Sequence, residues 1–175
     1  MEFTEVLTKR RSIRSYKPQP VEVNKLRRIF EAANIAPSAG NLQAYQVRVV
    51  RDQAKRNALA QAAHGQGFIA DSPVALVFCA DPARSEQKYG KRGSELYSVQ
   101  DATIAATYAM LAAVDLGLAT VWIGDFDEKQ VQRILETKSI RPVAIFSLGY
   151  AAEQPQPSPR RAIEEIFQGD FPQTD

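Results

Sequence analysis

Residues 100–124 read QDATIAATYAMLAAVDLGLATVWIG, and the part from Ala102 to Gly124 is the longest apolar stretch of the chain. Its length would suit a membrane span, but Asp115 and Gly117 interrupt it and no flanking charge pattern favours insertion. It divides instead into a helix over Gln100–Leu116, apolar almost all round, and a strand over Thr120–Ile123, with Gly117 stopping the helix. A helix with no polar face has to be covered on more than one side, by a sheet and by another subunit.

Elements of both kinds continue outward from this stretch. Downstream, Asp127–Leu135 reads as a helix capped by Asp127, and Val143–Leu148 as an apolar strand. Upstream, residues 73–79, PVALVFC, are a continuous apolar run opened by proline, the pattern of a strand covered on both faces. Ala54–Ala63 reads as a surface helix and Gln46–Val50 as a strand. Between Val21 and Ala33, the apolar residues Val23, Leu26, Ile29, Phe30 and Ala33 recur at steps of three and four, opposite Asn24, Lys25, Arg27 and Arg28. That spacing predicts an amphipathic helix. Helices and strands thus alternate loosely about an implied central sheet. From residue 151 onward the character changes: Pro155, Pro157 and Pro159 alternate with polar residues, which favours an extended arm without sheet hydrogen bonds of its own. Ile163, Ile166, Phe167 and Phe171 would anchor that arm on an apolar surface. The expectation is one domain over residues 1–175, with 151–175 as a C-terminal arm.

Composition excludes several kinds of chemistry. With 175 residues, 45% apolar and 24% charged, the chain suits one globular domain. The single cysteine, Cys79, excludes an internal disulfide, and together with the single histidine, His64, it excludes a Cys/His zinc site. His64 lies in AAHGQG, read as an exposed helix end, and no G-x-S-x-G elbow exists to build a serine hydrolase. No metal ligand and no protein acid or base is assigned. The first residues, MEFTEVLTKRR, carry charges where a secretory signal needs an apolar core, so a reducing cytoplasm is expected. Lys and Arg number 22 against 20 Asp and Glu, leaving +2 spread along the chain. So even a balance argues against nucleic acid gripped through Arg10, Arg11, Arg14, Tyr16 and Lys17.

Four segments have compositions that suit a ligand. In an extended Lys9-Arg10-Arg11-Ser12-Ile13-Arg14, period two puts Arg10, Ser12 and Arg14 on one side, two guanidiniums and a hydroxyl suited to a phosphate, although such a run taken alone is more often a solvated basic face. Ala36-Pro37-Ser38-Ala39-Gly40-Asn41-Leu42-Gln43 combines small residues with Ser38, Asn41 and Gln43, which suits a planar heterocycle or a plain helix-ending turn. Trp122-Ile123-Gly124-Asp125 ends a strand on glycine, where backbone amides can lie against a flat ring. Pro159-Arg160-Arg161 is a second basic cluster, on the arm. An exposed ion pair is worth only about 0–1 kcal/mol, whereas micromolar binding needs about 8 kcal/mol, so a ligand would need several charged bonds together with ring burial.

In this order, and over nearly the whole chain, these segments resemble the FMN-dependent nitroreductase family, together with Tyr89-Gly90, Arg92-Gly93, Gln100-Asp101, the run Gly117–Gly124 and Arg141-Pro142-Val143. The resemblance implies an α+β fold, a mixed central sheet flanked by helices, in an intertwined homodimer with FMN at each subunit interface. It implies that Arg10, Ser12 and Arg160 or Arg161 hold the FMN phosphate with Arg11 nearby, and that Arg14 stands by the ring, where a cation stabilises negative charge at the N1 and O2 edge. Pro37, Ser38, Ala39, Asn41 and Gln43 would reach the cofactor from the partner subunit, and Ile123 and Gly124 would cover one ring face. The implied reaction is ping-pong: NADH or NADPH gives hydride to flavin N5, and a small electron-poor acceptor such as a nitroaromatic or quinone then takes the electrons. Phe68 and the segment Lys88–Tyr97 would line the open face. Flavin cleavage, reductive dehalogenation and dehydrogenation use the same scaffold, and a flavin-binding protein without turnover is a further alternative. The chain departs from the family pattern at Ala44, where a proline is common, at Arg48, on a usually apolar strand position, and at Ser158, where many relatives carry lysine.

Overall fold

Eight helices and four strands make up the computed structural model, which describes residues 1–167 and Gly169. In chain order they are α1 (Phe3–Lys9), α2 (Val23–Asn34), β1 (Tyr45–Val50), α3 (Gln53–Ala62), α4 (Phe68–Asp71), β2 (Val74–Ala80), α5 (Pro82–Arg92), α6 (Ser98–Asp115), β3 (Ala119–Ile123), α7 (Glu128–Ile134), β4 (Arg141–Gly149) and α8 (Ile163–Ile166). A short 3-10 turn, Ala39–Asn41, precedes β1, and a π-helical turn, Gly93–Tyr97, leads into α6. The strands run in the order β1-β2-β4-β3, each neighbouring pair antiparallel. The sheet's mixed character comes from one isolated parallel bridge, Ser12 to Thr120, at the β3 edge.

The sheet is the middle of three layers. Along β2, Val74, Leu76 and Phe78 face a core shared with α2 and α6, whereas Ala75, Val77 and Cys79 face a second core shared with α3, α4 and α7. The period-two alternation of a strand thus sorts one apolar run onto two covered faces, which is why the segment has no polar positions. β4 does the same, with Ala144, Phe146 and Leu148 on one side and Ile145 on the other. Phe78, Phe146 and Trp122 form the aromatic centre of the first core, with ring centroids 4.9 and 5.2 Å apart.

On α6, small residues face inward: Ala102, Ala105, Ala106, Ala109 and Ala113 are all buried, so α2 can lie close against it. The other side, with Ile104, Tyr108 and Leu111, is left partly open within one chain. Gly117, at φ 73°, turns the chain into β3, as a left-handed residue after a helix does. Asp127 caps α7 by accepting from the Gln130 amide at 2.9 Å. Val23 departs from the predicted stripe of α2. As the helix's first residue it lies off the packed surface and is 71% exposed, while Ile29 is fully buried. Among the described residues, no helix is long and apolar enough to cross a membrane.

Candidate functional site

The two basic clusters, about 150 positions apart in sequence, meet at the β3 edge. After α1 the chain runs extended: the Ile13 amide donates to the Thr120 carbonyl at 3.2 Å and its side chain is buried, while Ser12 and Arg14 on either side are exposed. The predicted alternation holds over Ser12, Ile13 and Arg14, whereas Arg11, expected on the opposite side, lines the same cleft. The chain leaving β4 returns to the same segment: the Ala152 amide donates to the Ser15 carbonyl at 2.9 Å, and Tyr16 bridges to Ala151. Glu153 accepts from the amides of Arg14 at 2.5 Å and Ser15 at 3.0 Å. The arm is thereby led over the arginines. Arg10, Arg11, Ser12, Arg14, Ser158 and Arg160, with Pro155 and Pro157, line a cleft of about 700 Å³.

The arginines do not share one role. Arg11 is folded back, donating to the carbonyls of Thr8 at 2.6 Å and Arg10 at 2.8 Å. Arg161 pairs with Glu165 at 3.1 Å along α8 and does not line the cleft. Arg14 lies over the Phe68 ring, 5.9 Å from its centroid, and so points toward α4. Among the described residues, the guanidiniums of Arg10, Arg14 and Arg160 have no carboxylate partner, and Glu153 is taken up by backbone amides. Unpaired guanidiniums beside a hydroxyl are a donor set matched to a phosphate monoester.

Tyr16 braces this segment from behind. Its hydroxyl donates to the Ile13 carbonyl at 2.6 Å and lies 3.0 Å from the Ser147 hydroxyl. Burial holds that phenol well above the ordinary tyrosine range.

The second predicted group occupies a separate cleft. Pro37, Ser38 and Ala39 line about 510 Å³ with Tyr97, Val99, Gln100, Asp101, Thr103 and Ile104, and share no lining residue with the arginine cleft. Gly40, Asn41 and Gln43 all have positive φ (55°, 59° and 44°), a coil that favours glycine and asparagine. Asp101, 2% exposed, holds it: one oxygen accepts from the Ala39 amide at 2.8 Å and the other from the Ala44 amide at 3.3 Å. Inside the coil, Gln43 donates to the Asn41 side chain at 2.5 Å, and the Gln43 amide donates to the Ser38 hydroxyl at 3.0 Å. Ala44, where the family pattern often has proline, is what permits this clamp, because a proline has no N–H to offer.

At the end of β3, Ile123 is 3% exposed with its side chain in the second core, so what that strand presents is the exposed Gly124 backbone. His64 is exposed, at φ 57°, with Nε2 3.3 Å from Asp125. Arg48 lies exposed on β1 and donates to Gln46 at 3.0 Å, which accounts for a charge at that position. Cys79 is fully buried and its thiol is pushed up to about 12, so it is no nucleophile. No group of three or more acidic, His or Cys side chains suited to a metal occurs among the described residues. Phe171 lies outside the described residues. Sequence reasoning assigned no role to Asp101 or Glu153. The signal for Asp101 was there: a lone carboxylate at the head of an otherwise apolar helix needs buried donors.

Residues 7–71 and 63–150 match the profile of the Nitroreductase family. Among curated proteins, the chain is 35% identical over 186 residues to an "NADH dehydrogenase" of Thermus thermophilus, covering 90% of this chain and 91% of that one. It is 34% identical over 179 residues to "FMN reductase [NAD(P)H]" of Bacillus subtilis, covering 94% and 72%. Among solved structures, it superposes with a TM-score of 0.89 and 33% identity on "the hypothetical oxidoreductase YcnD from Bacillus subtilis", covering 98% of this chain and 74% of that one.

Proposed function

The chain belongs to the nitroreductase family, and from that premise we propose that it is an FMN-dependent NAD(P)H oxidoreductase acting on small electron-poor acceptors as a cytoplasmic homodimer. The observation that carries this reading is the meeting of Arg10, Ser12 and Arg160 in one cleft, with no carboxylate paired to either guanidinium among the described residues. Arg10 and Arg160 hold the FMN phosphate, Ser12 donates between them, and Arg14 reaches toward the ring from beside Phe68. Gly124 offers its backbone to the ring edge. FMN, when bound, supplies the two-electron chemistry, taking hydride from NAD(P)H and passing electrons to the acceptor in turn. The chain's own part is to bind, orient and charge-balance it.

The separation of the two clefts supports the dimer. Pro37, Ser38 and Ala39 line a cleft that shares no residue with the arginine cleft of their own chain, so they, with Asn41 and Gln43 of the same turn, serve the partner's cofactor. Apolar surface supports it too: Phe3 is 68% and Tyr108 39% exposed beside an apolar cleft that also takes in Leu111, and Ile163, Ile166 and Phe167 on the arm are exposed. Residues 1–175 form the single FMN-binding domain, with the stretch from residue 151 as its arm. The test is direct. The purified protein should be yellow or become so with added FMN, and NADPH under nitrogen should bleach it; a preparation that takes up no FMN overturns the reading.

A further inference from the structure

Resting on that reading, a second charged surface bears on the choice of donor. α5 carries Arg84 and Lys88 one turn apart on one face, and the chain breaks at Gly90 (φ 56°, ψ −148°) before Arg92. Two tyrosines in ring contact link Lys88 and Arg92. Lys88 Nζ lies 5.4 Å from the Tyr89 ring centroid, the Arg92 guanidinium lies 5.4 Å from that of Tyr97, and the two rings meet edge to face at 5.2 Å. Arg92 also donates to the Tyr97 hydroxyl at 3.0 Å. Lys88 and Arg92 are both exposed.

The nearby carboxylates do not cancel them. Glu95 is drawn to Lys91 at 3.6 Å, and Asp81 caps α5 at the Arg84 amide. Among the described residues, neither Lys88 nor Arg92 has an acidic partner. Their place matters as much as their charge. Tyr97 lines the cleft of Pro37, Ser38 and Ala39, and Tyr89 and Lys88 press on Gly40, where a Cβ would collide with both. These cations therefore rim the mouth of the turn that faces the flavin.

We propose that Lys88 and Arg92 bind the 2′-phosphate of the dinucleotide donor, so that this protein takes NADPH in preference to NADH. NADH presents a hydroxyl at that position. A phosphate there adds about two negative charges and oxygens suited to an ammonium and a guanidinium, and charge-assisted bonds of this kind are the strong ones. The tyrosines hold the two stems in place, so less side-chain freedom is lost on binding.

The test uses the FMN-saturated protein, so that the arginine cleft is filled. Wild type should show a kcat/KM for NADPH at least tenfold above that for NADH, and should bind adenosine 2′,5′-bisphosphate at least tenfold tighter than 5′-AMP by calorimetry. In Lys88→Gln/Arg92→Gln both ratios should fall to near one, mainly through KM, with the circular-dichroism melt unaltered because both side chains are exposed. Ratios near one in wild type, or ratios that survive the double substitution, overturn the proposal. Equal turnover of both donors would sink this proposal and leave the oxidoreductase standing. A nucleotide advantage in a protein that neither donor bleaches would do the reverse.

Discussion

The turn Ser38–Gln43 and the strand-like segment Arg10–Arg14 are both assigned to the same cofactor, yet they are held in opposite ways. The turn is clamped by a buried carboxylate at both ends and coiled through three left-handed residues. The arginine segment is held by the Ile13 and Glu153 contacts to its backbone, the buried Ile13 side chain and the Tyr16 hydroxyl, with no carboxylate on Arg10 or Arg14 among the described residues. The difference follows the chemistry each is given. A flat ring is recognised by fixed edges, which calls for low-entropy scaffolding. A phosphate is recognised by charge, and guanidiniums that first had to leave a carboxylate partner would bind it less well.

The sharpest way to break this contrast is Asp101→Ala. It strands two amides that Asp101 now satisfies, at a cost of about 3 kcal/mol, which lowers Tm by about 6–12 °C for a domain of this size. A melt within about 2 °C of wild type would show that the carboxylate is no clamp. Removing charge should do the opposite. Arg10→Ala/Arg160→Ala is expected to weaken FMN retention about 100-fold by fluorescence titration, two charge-assisted bonds being discounted for exposure, with an unchanged apoprotein melt. Unaltered FMN affinity would remove these residues from the phosphate site.

Gly40→Ala tests the coil itself. A side chain at φ 55° costs about 1–2 kcal/mol, and because its Cβ would meet the Tyr89 hydroxyl and Lys88 Nζ, both side chains must also shift. Stability equal to wild type in urea would argue that the turn relaxes freely. The smallest effect belongs to Tyr16→Phe, which should cost about 1 kcal/mol near neutrality. Its pH signature is distinctive. Because burial raises the phenol's pKa, its contribution is intact below about pH 10, where both states are protonated. Above that the unfolded phenol ionises first, the folded state holds more protons, and stability falls by up to about 1.4 kcal/mol per pH unit. The variant should lose that part of the alkaline slope; an identical slope would mean that Tyr16 is not the group responsible.

Much of the fold could be read in advance because burial wrote it into residue type. β2 and β4 carry almost nothing but apolar side chains because both faces are covered, and their observed ends fall close to those read from the runs. The Arg10–Ser12–Arg14 face was legible for the same reason, since Ile13 marks the inward side. α5 and its π-helical exit were not legible. Lysines, arginines and two glycines give no apolar period there, and the segment is ordered by tyrosine contacts and by Gly93 lying against the Ser85 backbone. The different fates of Arg160 and Arg161 were equally hidden, for only Glu165 one turn further on decides which of the neighbours is occupied.

Arg10 is in place before any strand exists, whereas Arg160 follows the last of them. On the proposed reading, then, the two sides of the phosphate site meet only once the whole sheet has left the ribosome and the tail has doubled back along its margin. On the same reading, a chain cut short after the final strand would lose Arg160 together with the Ala152 and Glu153 contacts that steady the arginine segment, and would be expected to retain FMN poorly.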